Sequence, residues 1–483
     1  MSLTWLWLMP LLAAPLVWAA PSARAARLLA CAVAAFVLVY AAALVFPFMG
    51  EEGVLRLAEV GEPGAYGIRY HVAVDGVSLA LCWLTAFLMA VCFAASWETP
   101  NGNAWWAAFL ALEAAVMGVF TMQNLFWFYV FWDASLIPMF FIIGLWGSEG
   151  RRKAALKFIL YTLVGGLALL VGLGGLVALH HQATGVWTWE ISELTTGTAV
   201  GPAAQWVFLA ICAGFAVKVP MFPVHNWLPE AHTEAPAAGS VMLAGVMLKM
   251  GVYGFMRVAL PAFPTLAAEA LPWAGALGVV SILYGALCAI AQKDLKRLIA
   301  FTSVSHMGFC MVGLFSLTNE GVAGAALQMI NHGLSTGGLF LLVGFLYERA
   351  HTRGLDDFGG LAETAPWFTF FFAFVTLSSI GLPGLNGFVG EALSLYGLSL
   401  VSLPMAAAAS LGAVLAAAYG LPAFQRVFWA PAGPGSHSAH VHDLNGREKA
   451  VLWALAAPIL LLGLYPGPLL KLMTPAIEAL AMR

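Results

Sequence analysis

The chain has 483 residues, of which 61% are hydrophobic and only 9% are charged, and its formal net charge is −3 at pH 7. This composition, with a mean hydropathy of +0.88, excludes an ordinary soluble domain and indicates a polytopic membrane protein. We predict lipids as partners of the chain and expect no nucleic-acid partner.

Fourteen apolar segments are long enough to cross a membrane, for which a helix needs about 20 residues. We interpret the first segment as a retained span, because it has no charged start and the second span follows closely. The predicted fold class is therefore an all-α membrane protein. The predicted spans cover residues 3–20, 27–49, 76–96, 104–121, 125–146, 154–179, 205–227, 236–259, 266–291, 297–316, 321–347, 366–397, 400–428 and 449–472.

Basic side chains between the spans predict an orientation, because Lys and Arg accumulate in cytoplasmic loops. They fall in loops that follow an odd number of crossings, whereas residues 51–70 and 180–205 form loops that are acidic or nearly uncharged. We therefore predict that both termini face the periplasm. The predicted loop cations are Arg24, Arg27, Arg151, Arg152, Lys153, Lys293, Lys296, Arg297, Arg349, Arg353, Arg426 and Arg447.

Nothing in the sequence indicates a bound cofactor. The six cysteines lie singly within predicted spans, without a CxxC pair or metal-ligand spacing, so we predict that they are small apolar core residues. No glycine-rich phosphate loop follows a strand pattern, and no HExxH motif occurs. We therefore predict that this chain holds no nucleotide, flavin, haem or metal ion.

Two predicted spans are interrupted by proline and glycine. Span 7 breaks at Pro220–Pro223 just after Lys218, and span 12 breaks at Gly381–Gly387 just before Glu391. Matching interruptions in two halves of a chain are typical of transporters built from inverted repeats. We therefore predict two five-helix repeats in opposite orientation, formed by spans 4–8 and 9–13.

The repeats predict a division of the chain into four parts. An N-terminal three-helix addition precedes the first repeat, and a C-terminal loop with the last span follows the second. The predicted parts are residues 1–100, 101–260, 261–430 and 431–483.

Six ionisable side chains stand in otherwise apolar spans, where a charge is costly and indicates a functional site. The alternative for each is a side chain that reaches the interface, or a static ion pair. Lys157 lies near the basic cluster at 151–153, so the alternative explains it equally well, whereas Lys249 lies in the middle of its span. The six are Glu113, Asp133, Lys157, Lys218, Lys249 and Glu391.

The chemistry of these groups suits proton transfer. Burial favours the neutral form of an amine, whereas a nearby carboxylate favours the charged form, so pairing of Asp133 with Lys218 would control release of a proton. Histidine exchanges protons near neutral pH, and His225, His306 and His332 are candidates to continue a relay. Hydrogen-bonded structural histidines are the alternative for all three.

Several long strings resemble the antiporter-like membrane subunits of respiratory complex I. The most specific string runs from Lys218 to Lys249, and others lie at 291–300, at 303–308, at 328–333 and from Gly381 to Glu391. The resemblance covers nearly the whole chain. Subunits of this kind usually carry lysine where this chain has Glu391, and glutamate there resembles the M-type branch of the family.

The resemblance implies a proton pathway at the middle of the membrane. It assigns the acid of span 5 to Asp133, the lysine partner to Lys218, the central lysine to Lys249 and the terminal acid to Glu391. It also gives His225, His306 and His332 places as relay or supporting residues.

One position departs from the family pattern. Glutamate is usual at the position of Asp133, and aspartate is shorter by one methylene, about 1.5 Å. Either the helices lie closer together, or water bridges a looser pair between Asp133 and Lys218.

The resemblance also implies the setting in which the chain works. It implies a non-redox subunit of a bacterial cytoplasmic-membrane NADH:quinone oxidoreductase, coupling electron transfer elsewhere to proton movement. NADH, FMN, Fe–S clusters and quinone would bind other subunits, and L-type and N-type subunits would be neighbours. The alternatives are a subunit of a sodium/proton antiporter or membrane-bound hydrogenase, a free-standing solute carrier, and a structural scaffold.

Overall fold

The computed structural model describes residues 1–99, 102–196, 201–433 and 436–481, and most of this part is helical. The predicted boundary between residues 100 and 101, and residues 197–200 of the predicted acidic loop, lie outside the described residues. The helices longer than one turn are α1 (Thr4–Trp18), α2 (Ala23–Gly50), α3 (Gly76–Ala95), α4 (Asn103–Thr121), α5 (Leu125–Trp146), α6 (Arg151–Thr184), α7 (Pro202–Lys218), α8 (Trp227–Glu234), α9 (Ala237–Ala262), α10 (Pro264–Ile290), α11 (Leu295–Phe315), α12 (Asn319–Ala350), α13 (Pro366–Ser379), α14 (Asn386–Val401), α15 (Leu403–Phe428), α16 (Gly446–Leu464) and α17 (Gly467–Ala481).

Ten of these helices are long and apolar enough to cross a membrane, counted over the described ranges. The count becomes eleven if α16 and α17, which are bent by 71° at their junction, form one span. Three shorter apolar helices, α1, α7 and α13, accompany them. The chain is thus a mostly helical, polytopic membrane protein, and the number of fourteen spans stays a prediction.

A small β-sheet interrupts the helical fold, which the all-α prediction missed. Strand β1 (Arg56–Val60) pairs antiparallel with β2 (His71–Val74), with a register shift between Arg56 and Glu59. The pairing lies in a loop that was too polar to be read as a span. Because all but the first residue of β2 are buried, this short hairpin packs onto the helices instead of extending into water.

Several cations predicted in loops lie within helices. Arg151 begins α6, and Lys296 stands in the first turn of α11 with only 5% of its surface exposed. Asp294 caps α11 by accepting a hydrogen bond from the Arg297 backbone at 2.9 Å. Hydropathy indicates where a run of apolar residues ends, whereas a cap indicates where the helical backbone ends. Because these helices continue past their apolar runs into charged residues, the predicted loops were too long.

The centre of the molecule is formed by helices with almost no exposed surface. The apolar windows of α9, α11 and α12 are 94%, 100% and 94% buried, whereas that of α6 is 50% buried. Helix α11 packs against α10 and α12, and α12 packs against α14. Polar side chains on these helices are therefore shielded from lipid by protein.

The backbone breaks where the sequence predicted interruptions. Helix α7 ends at Lys218, and residues 219–226 lead to α8. Between α13 and α14 the chain turns through Gly381 and Gly384, whose φ angles of +76° and +92° favour glycine. Both breaks therefore bring irregular backbone next to a charged side chain.

Candidate functional site

Four buried side chains form a continuous row through the centre of the molecule. Lys249 Nζ lies 2.6 Å from His332 Nδ1, the His332 and His306 ring centroids are 5.5 Å apart, and His306 Nδ1 lies 2.8 Å from Glu391 Oε1. Each of the four is at most 5% exposed. Helices α9, α12, α11 and α14 contribute one residue each, so tertiary packing builds the row. We call these four residues the buried row.

Lys249 lies between two π-helical segments of α9, Leu243–Met247 and Phe255–Ala259. Its amine donates a hydrogen bond to the carbonyl of Ala244 in the first segment. π-Helical turns often occur at functional sites because they change which groups the helix presents. A lysine ammonium has no acceptor, so its contact with His332 Nδ1 requires an unprotonated nitrogen on one of the two partners.

Glu391 marks the other end of the buried row. Its Oε1 accepts from Gln328 Nε2 at 3.1 Å as well as contacting His306, and His306 Nε2 lies 3.3 Å from Ser379 Oγ. A Cβ atom placed on Gly381 would lie 3.1 Å from Glu391 Oε2. The break between α13 and α14 therefore brings backbone close to the carboxylate.

Lys218 is the last residue of α7, where the helix dipole favours a positive charge. Its Nζ donates to Ser135 Oγ at 3.4 Å and lies 5.2 Å from the ring centroid of Trp132. The side chain is 2% exposed. Lys218 is thus held by a hydroxyl and an aromatic face on α5.

The expected pair between Asp133 and Lys218 is open in this structure. Within the described part of the chain, no ion pair of 4.0 Å or less joins them, and Asp133 Oδ1 has no hydrogen-bond partner. The carboxylate lies against α6, where a Cβ on Gly166 would meet Oδ1 at 2.7 Å. Asp133 and Lys218 are therefore not in a direct ion pair, and the water bridge between them stays a prediction.

The remaining predicted side chains lie outside the buried row. Lys157 Nζ pairs with Glu230 Oε1 at 2.6 Å, and both side chains are about one-third exposed or less. Glu113 is fully buried, and neither of its carboxylate oxygens has a hydrogen-bond partner among the described residues. His225 packs its ring against Phe222, and in the described part of the chain neither ring nitrogen has a hydrogen-bond partner.

Several buried polar residues near the site were not predicted from the sequence. His232 is fully buried and stacks on Phe340 at 4.6 Å, and neither ring nitrogen has a hydrogen-bond partner within the ranges that the structure describes. Lys296 donates to the carbonyl of Ala235 beside a cavity of about 300 Å³ that Glu348 also lines. His232 lies in the most specific string of the sequence, seven residues after His225. That position is the only feature of the sequence that could have indicated its place near the site. Lys296 was assigned to a loop.

Two further observations bear on what the site can hold. The cavity beside His306, Gln328 and His332 measures about 10 Å³, which is the space of a single water molecule. Among the described residues, no group of three or more His, Cys, Asp or Glu side chains is arranged to bind a metal ion.

The sequence matches a family described as NADH:quinone oxidoreductase/Mrp antiporter, transmembrane, over residues 122–416. NADH-quinone oxidoreductase subunit M of Rhodobacter capsulatus is 43% identical over 425 residues, which cover 86% of this chain and 82% of the relative. The subunit M of Escherichia coli strain K12 is 40% identical over 417 residues, covering 84% and 81%.

Solved structures have the same fold. A chain of respiratory complex I from Thermus thermophilus with bound NADH superposes with a TM-score of 0.90 at 34% identity, covering 99% of both chains. A chain of the Mrp complex from Dietzia sp. DQ12-45-1b gives a TM-score of 0.89 at 23% identity, covering 99% and 97%, and shares the fold. The chain therefore belongs to the NADH:quinone oxidoreductase/Mrp antiporter family of transmembrane proteins.

Proposed function

We propose that this chain is the M-type antiporter-like membrane subunit of a bacterial NADH:quinone oxidoreductase and that it moves protons while other subunits transfer electrons. The observation that carries the proposal is the buried row from Lys249 to Glu391. An amine, two imidazoles and a carboxylate in sequence can each bind and release one proton. Their burial confines that exchange to the row.

Transfer along the buried row moves one proton at each step. Lys249 gives a proton to His332 and becomes a neutral amine. His332 passes a proton to His306, with one water in the 10 Å³ cavity as the bridge between the rings. His306 then protonates Glu391, from which the proton leaves towards one side of the membrane. Lys249 and Glu391 are both neutral just before this release, and afterwards Glu391 is a carboxylate again and Lys249 has lost one proton.

Lys218 and Asp133 form the proposed control point. The structure has the open arrangement, in which Lys218 contacts Ser135 and Asp133 lies against α6. When the carboxylate approaches the amine, Coulomb attraction favours the protonated lysine. A change arriving from neighbouring subunits would switch between the two arrangements and so alter the proton affinity of Lys249.

The size of the space beside the buried row supports proton transport over transport of a solute. A free-standing solute carrier needs a polar cavity that fits its cargo, whereas a volume of about 10 Å³ fits one water. A sodium/proton antiporter or membrane-bound hydrogenase subunit is the alternative with the same fold. It is less favoured because the Mrp chain is 23% identical, whereas subunits named M reach 43%.

The finer architecture is also part of this proposal. We propose fourteen spans, two inverted five-helix repeats in spans 4–8 and 9–13, and both termini on the periplasmic side of the bacterial cytoplasmic membrane. L-type and N-type subunits would flank the chain. NADH, FMN, Fe–S clusters and quinone would bind other subunits. The likeness to a chain of complex I over nearly its full length supports this arrangement.

Replacement of Glu391 by alanine tests the function. Native membrane vesicles carrying Glu391→Ala are compared for NADH:quinone turnover, the NADH-driven proton gradient and the amount of assembled complex. We expect a several-fold loss of turnover and gradient with normal assembly, because the buried row loses its last proton acceptor. Glu363→Ala, at an exposed position outside the row, is the matched control and should behave as the parent. Unchanged turnover and gradient in Glu391→Ala would contradict the relay.

A further inference from the structure

A second pair of buried charges lies outside the buried row, at the far end of α9. Arg257 Nη1 is 3.2 Å from Asp75 Oδ2, and the two side chains are 16% and 1% exposed. Arg257 also donates to Gln123 Oε1 at 3.1 Å, and Asp75 Oδ1 accepts from the Ser78 backbone at 2.7 Å as the N-cap of α3. The guanidinium is therefore held in a defined position.

Arg257 and the central lysine belong to the same helix. Arg257 follows Lys249 by eight residues, a separation of about 12 Å at 1.5 Å per residue. Tyr253 lies midway, is 1% exposed and donates its hydroxyl to the Phe120 carbonyl at 3.3 Å. Tyr253 therefore supplies a buried hydroxyl on the stretch of α9 between the central amine and Arg257.

A cavity of about 170 Å³ lies on the other side of the ion pair. Asp75, Arg257 and Ser192 contribute polar groups to its lining, and Met256 and Ala476 contribute apolar surface. This volume accommodates several water molecules. It lies at the end of the molecule predicted to face the periplasm, so Arg257 stands between water on that side and Lys249.

We propose that the Asp75–Arg257 pair is an electrostatic barrier that prevents protons from passing directly between the periplasmic cavity and Lys249. The inference rests on the proposed function, in which protons leave Lys249 along the buried row to Glu391. Arginine keeps its positive charge at working pH and has no acceptor, so it repels protons and cannot relay them. Fixed arginines exclude protons from membrane pores in the same way.

The barrier has a specific charge requirement that separates it from a structural ion pair. Removing the positive charge with Arg257→Gln opens the path and leaves Asp75 as a carboxylate that attracts protons. Removing the negative charge with Asp75→Asn keeps the guanidinium, and asparagine still caps a helix well. If the ion pair is only structural, Arg257→Gln and Asp75→Asn should change the proton leak alike. If it is a barrier, only Arg257→Gln should raise the leak.

The experiment measures passive proton movement through the assembled complex in membrane vesicles without NADH. An acid pulse is applied outside, and a dye trapped inside reports the rate of pH change. We expect Arg257→Gln to leak several-fold faster than the parent. Arg257→Lys and Asp75→Asn should remain near the parental rate, because each retains a positive charge at the barrier.

A double variant shows whether the leak runs through the central lysine. Arg257→Gln combined with Lys249→Ala should return to the parental rate, because the proton has no acceptor beyond the barrier. A leak that persists in this double variant would overturn the inference while leaving the Glu391→Ala result, and with it the proposed function, untouched. Parental leak in assembled Arg257→Gln, or equal leak in Asp75→Asn, would also overturn it.

Arg257→Gln could prevent assembly, because removing one partner leaves an unpaired buried charge. A further variant tests the inference in that case. The combination of Asp75→Asn with Arg257→Gln leaves no charge unpaired and is tested by the same acid pulse. We expect it to leak faster than the parent, since the guanidinium is gone. A parental rate in this variant would overturn the inference.

Discussion

Each ionisable side chain of the buried row has a neighbour that can take or give a proton. Burying a charge without such a partner is costly, and the contacts of Lys249 with His332 and of His306 with Glu391 reduce that cost. Asp133 Oδ1 and both Glu113 oxygens have no such partner among the residues that the structure describes. The open Oδ1 allows the Asp133 carboxylate to turn towards Lys218, as the proposed control point requires.

A methyl group at Gly166 should disturb the control point. In Gly166→Ala the new Cβ would lie 2.7 Å from Asp133 Oδ1, so the carboxylate must leave its place against α6. We expect the NADH-driven proton gradient in vesicles to fall several-fold, because the spacing between Asp133 and Lys218 changes. The amount of assembled complex should stay normal, since alanine favours a helix more than glycine does.

Gly174→Ala is the matched control for this prediction. Gly174 lies on the same helix, and a Cβ atom there would meet no atom of the described residues within 4 Å. The control should pump as the parent does. Equal gradients in Gly166→Ala and Gly174→Ala would show that the position of the Asp133 carboxylate does not matter for pumping.

The sequence reveals the charged members of the site more readily than the neutral ones. Lys218, Lys249 and Glu391 are conspicuous because each stands in an apolar run. The neutral residues of the site are harder to recognise, because polar side chains are common in helices and their role depends on which residue they contact. Examples are His232, Gln328 and Ser379. The contact of Gln328 with Glu391 joins positions 63 residues apart, and no local pattern encodes such a pairing.

At the scale of helices, glycines let α12 and α14 approach closely. A Cβ on Gly397 would lie 2.3 Å from the Gly321 backbone nitrogen, and one on Gly324 would lie 2.3 Å from the Ser394 nitrogen. Small residues at such contacts allow backbones to pack together in membrane proteins. Because Glu391 is on α14 and His332 is on α12, this packing sets the geometry of the buried row.

Gly397→Ala should force these two helices apart. The contact is with backbone atoms, which cannot rotate away, so we expect a loss of stability of about 1–3 kcal/mol, the usual cost of overpacking. Thermal unfolding of the detergent-solubilised complex measures the effect, with Gly174→Ala as the control. An unchanged unfolding temperature would mean that α14 adjusts its position without strain.

Helices could be predicted from the sequence, but their irregularities could not. Apolar runs reveal α9 and α11 because hydropathy is a property of each segment alone. The π-helical turns around Lys249 depend on packing against neighbours, and the β1–β2 hairpin lies in a loop without an apolar run. Lys296 was misassigned for the same reason, since a cap and not hydropathy begins α11.

At the scale of the whole molecule, one polar cluster joins distant parts of the chain on the predicted periplasmic side. Glu190 forms an ion pair with Arg69, at 3.0 Å from Nε, accepts a hydrogen bond from Asn124 Nδ2 at 2.8 Å, and contacts His71 Nδ1 at 2.5 Å. These residues come from the hairpin region, the start of α5 and the loop after α6. The cluster therefore fixes the predicted N-terminal addition to the first predicted repeat.

The cluster predicts a pH dependence of stability. Burial acts to raise the pKa of Glu190, but hydrogen bonds from His71, Arg69 and Asn124 outweigh it and hold the pKa below its ordinary value. A lowered pKa in the folded state stabilises the protein above the ordinary pKa, and this contribution is lost as pH falls through the folded value. Glu190→Gln should therefore weaken the decline of the unfolding temperature as the pH falls from about 5 into the acid range.

Glu193→Gln is the control for the pH experiment. Glu193 lies three residues away, is 46% exposed and is 3.8 Å from Arg69, so its ion pair contributes little. Its unfolding profile should follow that of the parent. If Glu190→Gln and the parent decline in parallel, the cluster does not couple stability to pH.

Composition alone predicted the class of the molecule, since so few charges can cover only a small water-facing surface. The cluster at Glu190 could not be predicted, because Arg69 and Glu190 lie in two separate polar loops that only the folded chain brings together. The order of residues in the chain does not indicate which loops contact each other in the folded protein.

The buried row has a consequence for how the chain is made. Lys249 is synthesised 83 residues before His332, and His306 is synthesised 85 residues before Glu391. At about 5–20 residues per second, each waits on the order of ten seconds for its partner. A helix with an unpartnered amine at its centre is poorly soluble in lipid. We therefore expect α9 to stay shielded from lipid, beside the insertion machinery, until α12 emerges.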